Sequence, residues 1–197
     1  MAQHLTLRQV RESDRWILWE WRNTERIRRV SAHDENIPRA DHDAWFSKNF
    51  TRMHDRTIIL AIGGSPVGWY QIEQWDSETR SGEWGIALGE TDVPVGLGGA
   101  LPLLALSHAF DRLEATQMTG RVLQLNKGMV SIMRRLQILI VETSEEQLRR
   151  EGGECTSMIV YQIERSDWCD TLQQGRMLVP AATRALLDRA MSEPIHD

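Results

Sequence analysis

Glu83-Trp84-Gly85-Ile86-Ala87-Leu88, followed within a few residues by Val95-Gly96-Leu97-Gly98-Gly99, is the stretch on which the fold turns. Residues 81–88 place Trp84, Ile86 and Leu88 at every second position and read as a strand. The glycine cluster then opens a helix that runs to about Leu113, with Leu103, Leu106, Phe110 and Leu113 on one face. Pro102 is expected in its first turn, where a missing N–H costs nothing. Gly96, Gly98 and Gly99 let backbone N–H groups approach an anion closely at the positive end of that helix. A pyrophosphate suits such a loop. A loop rich in glycine only in order to turn is the competing reading, and the order strand, loop, helix favours binding.

Upstream, residues 57–62 are strongly β-branched, Gly63-Gly64-Ser65-Pro66 supplies turn chemistry, and residues 67–74 form the next strand before a polar turn at 76–79. Residues 40–50 read as a helix with Trp45 and Phe46 on its apolar side. Asp14 is the expected N-cap of an amphipathic helix carrying Trp16, Ile17 and Trp19. Residues 22–29 continue it or begin a second short helix, and residues 4–7 make a first strand. Downstream, residues 119–125 are a strand and Asn126 caps a helix ending near Leu136. Residues 137–142 and 157–163 are two further strands, joined by a charged connection through Gly152-Gly153, and a last helix over 181–190 follows Pro180. This is an α/β (α+β) pattern, a mixed, mostly antiparallel central sheet flanked by helices. Without internal repeats it divides into one domain over residues 1–168 and a helical extension over 169–197.

Composition excludes several classes. At 197 residues, with 41% apolar and 26% charged, the chain is long enough to bury one real core. A net charge of −5 argues against nucleic-acid binding, which needs a broad basic surface. Cys155 and Cys169 have neither metal-ligand spacing nor a disulfide framework, so no metal is expected and a cytoplasmic location is. No run is long and apolar enough for a membrane span, and residues 1–10 lack the apolar core of a signal segment. Ser107-His108 has no third partner at a suitable spacing, and no other catalytic constellation stands.

Segment by segment, the order resembles the acetyl-CoA-dependent N-acetyltransferases of the GNAT superfamily over roughly residues 5–168. Three passages carry the resemblance. Trp21-Arg22-Asn23, ahead of His42 and the Trp45-Phe46 pair, is similar to the ribosomal-protein N-terminal acetyltransferases and to the acetyltransferases of pseudaminic-acid biosynthesis. Gly82-Glu83-Trp84-Gly85-Ile86 with the glycine loop is the second, and Asn126 with the helix ending in Arg134-Arg135-Leu136 is the third.

The resemblance implies a GNAT fold with acetyl-CoA as co-substrate. Val95, Gly96, Leu97, Gly98 and Gly99 would cradle its pyrophosphate, and Asn126 would meet its pantetheine, although a plain helix cap explains Asn126 equally well. A backbone N–H between Ile86 and Leu88 would polarise the thioester carbonyl. Arg22 and His42 match positions that face the sugar nucleotide in the pseudaminic-acid enzymes. The preferred acceptor is therefore a small-molecule primary amine, an amino-sugar nucleotide. A protein N-terminus is the alternative, as is a GNAT-shaped module that binds acyl-CoA with weakened catalysis; a homodimer is compatible with each. Direct attack by the amine needs positioning and a base rather than an enzyme nucleophile, and Glu83 is the chosen base.

Bland roles compete at each position. Glu83 also reads as a solvated strand carboxylate, Arg22 as an ion pair with Glu20 or Asp43, and His42 as a surface residue at a helix start. Trp45, Trp69 and Trp84 either wall a pocket or fill the core. Arg26, Arg28 and Arg29 read as a solvated face. Three positions depart from the family. Val93 stands where the loop usually begins with Gln or Arg, and Arg121 replaces a carboxylate of related sugar acetyltransferases. Met133 takes the place of a frequent tyrosine acid, and a thioether cannot donate a proton.

Overall fold

The computed structural model describes residues 4–143, 148–150, 153 and 155–196. After β1 (Leu5–Gln9) come α1 (Arg15–Asn23), α2 (Glu25–Arg28) and α3 (Arg39–His54). The strands β2 (Thr57–Ile62), β3 (Ser65–Asp76) and β4 (Ser81–Leu88) follow, then α4 (Leu97–Ser107) with a π-helical turn over His108–Arg112. Next are β5 (Gln117–Leu123), α5 (Lys127–Arg135), β6 (Leu139–Thr143), the short β7 (Leu148–Arg149) and β8 (Cys155–Thr156), and β9 (Met158–Glu164). Helices α6 (Trp168–Leu178) and α7 (Ala181–Ser192) close the chain. Part of the connection expected through Gly152-Gly153 lies outside the described residues.

The main sheet has seven strands in the order β1-β2-β3-β4-β5-β9-β6. Neighbours are antiparallel except β4 and β5, which run parallel. Alternation along the strands supplies two cores. Ile59 and Trp69 join Leu18, Trp21, Ile27 and Phe46 from the first helices. Ile58, Leu60 and Tyr70 point the other way, into a larger core with α4, α5, α6 and α7.

Two expectations are corrected by packing. The single apolar face foreseen for α4 is a helix buried all round, because α6 and α7 cover the side turned away from the sheet. Burying each of its leucines stabilises the fold by roughly 1.5–3 kcal/mol. Pro102 lies in the body of α4 rather than its first turn, since the helix begins at Leu97. Within the helical extension expected over 169–197, α6 was not placed as a separate helix. Its Gly175 lowers helix propensity, but it lets α6 pack closely on α4, since a Cβ there would stand 2.6 Å from a Leu103 methyl.

Asp14 precedes α1 as foreseen, yet its carboxylate does other work. It is 3% exposed and holds Arg8 through bonds of 2.6 and 2.7 Å while accepting the Arg11 N–H at 2.7 Å. The end of β1 is thereby tied to the start of α1.

Candidate active site

Strands β4 and β5 pair only from Ser81↔Gln117 to Glu83↔Thr119, and beyond that point they diverge. Trp84 and Gly120 sit where the strands part. A Cβ on Gly120 would lie 2.7–2.9 Å from the Trp84 indole, so the ring occupies the space that any other residue would fill. The divergence opens into a cavity of about 1050 Å³ between the sheet and the first helices.

The far end of β4 is fixed from the helical side. Trp21 stacks on Trp69 with centroids 5.6 Å apart and donates its indole N–H to Glu90 at 2.8 Å. Gly89 is required beneath it, because a Cβ would meet the Trp21 ring at 2.0 Å. Arg26, expected on a solvated face, instead donates to the carbonyls of Leu88 and Gly89 at 2.9 and 2.8 Å. Ile86 and Leu88 consequently present a rigid strand edge to the cavity.

On the cavity side of the sheet, Glu83 lies directly across from Glu73 of β3. Arg121 pairs with Glu83 at 2.7 Å. Glu73 is exposed at the cavity mouth, yet protein crowds its carboxyl enough that burial, then the charge of Glu83, raise its pKa. Two neighbouring carboxylates can together hold a cation, and the one whose pKa is raised is the readier to take its proton. Sequence reading singled out Glu83 and missed Glu73, whose importance comes from cross-strand register.

Arg22 lines the same cavity and donates to the Ser31 hydroxyl at 2.7 Å. Neither Glu20 nor Asp43 pairs with it, since Asp43 binds Arg15. Burial lowers its pKa, with Glu73 opposing that shift. His42 also belongs to the cavity wall but is 4% exposed, and its Nε2 lies 2.7 Å from the Arg15 carbonyl. Burial lowers its pKa, so at neutral pH the ring is uncharged. Both residues expected to face the acceptor therefore line the cavity, and of the two Arg22 alone brings a positive charge. Trp45, Trp69 and Trp84 all reach the cavity wall, Trp45 remaining 46% exposed while the other two also belong to the cores.

The glycine loop leaves fewer backbone amides free than expected. Gly96 adopts φ 90°, a left-handed conformation natural to glycine. In the first turn of α4, the Leu97 N–H donates to Pro94, and those of Gly99 and Ala100 donate to Gly96. Gly98 is left as the amide of that turn without an acceptor among the described residues, and it borders the cavity beside Leu88. Leu97 is fully buried and Val95 is 82% exposed. Of the five loop residues expected to contact a cofactor, Gly98 lines the cavity and Val95, Gly96, Leu97 and Gly99 do not; the N–H groups of Val95, Gly96 and Gly98 have no protein acceptor among the described residues, while those of Leu97 and Gly99 bond within the turn.

Asn126 combines both roles considered for it. Its Oδ1 accepts the Met129 N–H at 3.1 Å as a helix cap, and the residue also lines the cavity. Met133, by contrast, is fully buried in the main core, and Met129 and Ile132 of the same helix face the cavity. Position 133 is therefore not a place from which a general acid is missing, because a tyrosine phenol there would overpack the core without reaching the site. Ser107-His108 makes no triad: Ser107 donates to Asp111, and His108 is buried against Tyr70 with its pKa pushed down to about 4 by burial and Arg112.

Among the described residues no group of His, Cys, Asp or Glu could hold a metal, and no helix is long and apolar enough to cross a membrane.

The spermidine N-acetyltransferase of Vibrio cholerae, in complex with CoA and spermine, superposes with a TM-score of 0.74 at 17% identity, covering 84% of this chain and 98% of that one. An N-acetyltransferase from Staphylococcus aureus gives a TM-score of 0.66 at 11% identity, covering 82% and 99%. A dodecameric form of the Vibrio cholerae enzyme gives 0.68 at 19% identity, covering 84% and 96%. No curated protein matches in sequence. The family described as acetyltransferase (GNAT) domain matches residues 4–138. With the diverging strands, the glycine loop and that match together, the chain belongs to the GNAT acetyltransferase family and is an N-acetyltransferase with acetyl-CoA as its co-substrate.

Proposed function

We propose that the acceptor is a primary amine that also carries an anionic group, with an amino-sugar nucleotide as the preferred member of that class. The observation that supports this is Arg22, a partly desolvated guanidinium in the cavity wall with no carboxylate within ion-pair distance among the described residues. Its planar fork suits a phosphate or carboxylate.

Arg22, Arg26 and Arg121 match the three carboxylates Asp41, Glu73 and Glu83 in the cavity lining. That balance fits an acceptor of mixed charge better than a polycation or a bare peptide N-terminus. In the reaction, the Glu73–Glu83 pair receives the substrate ammonium and Glu73 accepts its proton. The freed amine then attacks the thioester carbon, whose oxygen is polarised by a backbone N–H at the edge of β4. The C–S bond breaks as the adduct collapses, and the proton shed by the nitrogen passes through solvent to the departing thiolate, leaving the amide and CoA as its thiol. Acetyl-CoA supplies the acyl group; Gly96, Gly98 and Asn126 hold it.

Arg22→Ala is expected to raise the KM of the anionic acceptor by about 10–100-fold, equivalent to about 1.5–3 kcal/mol, while the KM of acetyl-CoA stays nearly constant. Amino-sugar nucleotides, N-terminal peptides and spermidine should be offered side by side. Efficient acetylation of peptides or spermidine alone would sink the acceptor assignment and leave the fold intact.

A further inference from the structure

We propose that helix α7 positions the cofactor loop through Thr183 and Pro180, making the C-terminal extension part of the acetyl-CoA site. This rests on the reading that Gly96 and Gly98 hold the pyrophosphate. The family match ends at residue 138, so it assigns nothing to α7.

Thr183 is 2% exposed, and its hydroxyl donates to the Val95 carbonyl at 2.7 Å. The Val95–Gly96 peptide is trans, so its carbonyl and its N–H point in opposite directions. Turning the carbonyl onto α7 therefore turns the Gly96 N–H away from α7, and that N–H has no protein acceptor among the described residues. Pro180, at the start of the same helix, lies against Gly96: a Cβ there would stand 2.4 Å from its Cδ. Leu187 and Ala190 anchor α7 in the core that surrounds α4. The loop's left-handed turn is thus held between the start of α4 and the first turn of α7. A preset donor binds an anion without first being ordered, which is where affinity is gained.

The test removes the hydroxyl and keeps the shape. Thr183→Val is expected to raise the acetyl-CoA Kd, measured by calorimetry, by about 3–10-fold, the value of one hydrogen bond, with kcat at saturation unchanged. Thr183→Ser should restore the parent affinity. S-acetylpantetheine, which lacks the pyrophosphate, should react with the same kcat/KM in parent and variant. If Thr183→Val does not fold, Thr183→Ala carries the same expectations. An unchanged Kd, or an equal loss with S-acetylpantetheine, overturns the positioning role. Gly98→Val serves as the control for the underlying reading. Loss of acetyl-CoA binding in that variant beside a normal Thr183→Val refutes only the role of α7. Normal binding in Gly98→Val refutes the loop site itself.

Discussion

Glu73→Gln is expected to lower kcat/KM by about 10²–10⁴-fold near neutral pH, with the deficit shrinking as the pH rises. The amine reaches the enzyme as an ammonium and must lose a proton before it attacks. A carboxylate whose pKa is raised by burial and by its neighbour Glu83 accepts that proton more readily than an ordinary one. At alkaline pH the free amine is already present, so the variant should approach the parent. Glu83→Gln is expected to behave differently. Removing the like charge lowers the Glu73 pKa, and the acid limb of the pH profile should move down while much of the rate survives. The reverse ranking of the two variants would assign the base to Glu83.

The same shift has a stability consequence of definite sign. A carboxyl with a raised folded-state pKa makes the folded protein bind protons more tightly than the unfolded chain does. Its contribution therefore falls as pH rises from the ordinary carboxylate range through the raised value. Glu73→Gln should accordingly melt at a higher temperature than the parent at neutral pH, and the advantage should vanish in acid. Loss of activity with a gain in stability would separate a working residue from a structural one.

Gly120→Val is the second large effect expected. Its side chain would enter the space of the Trp84 indole, which is 6% exposed and faces the cavity on one side. The clash should cost about 1–3 kcal/mol, read as a lower urea midpoint, and should weaken acetyl-CoA binding by shifting the strands where they part. Trp84→Leu in the same chain should recover part of the loss, with a coupling of about 0.5–3 kcal/mol in a double-mutant cycle. A Gly120→Val protein equal to the parent in both measurements would mean that the indole is not confined there.

How much of this was written locally in the chain differs by element. Strands β2 and β4 have the bounds expected of them, since β-branched and alternating residues meet clear turns at both ends. The glycine loop and Asn126 also stand where they were placed, because turn and cap chemistry is local. Helix α6 was missed, its Gln173, Gln174 and Gly175 giving no amphipathic signal of their own; the reason for Gly175 lies in Leu103 across the core. Register decides the carboxylate pair: Glu73 is one polar residue among several until β3 and β4 align. The roles of Arg26 and Thr183 depend on carbonyl partners 62 and 88 residues away, separations that no local pattern encodes.

The two unequal cores have a consequence for how such a protein diversifies. The wall that carries Arg22, Asp41 and His42 rests on seven buried side chains beneath α1–α3. The cofactor loop is rooted in the much larger core around α4. A substitution in the acceptor wall thus spends stability from the lesser core and leaves the acyl donor's seat untouched. Selection can then exchange one amine for another by drift in residues 15–54, while the donor stays the same throughout the lineage.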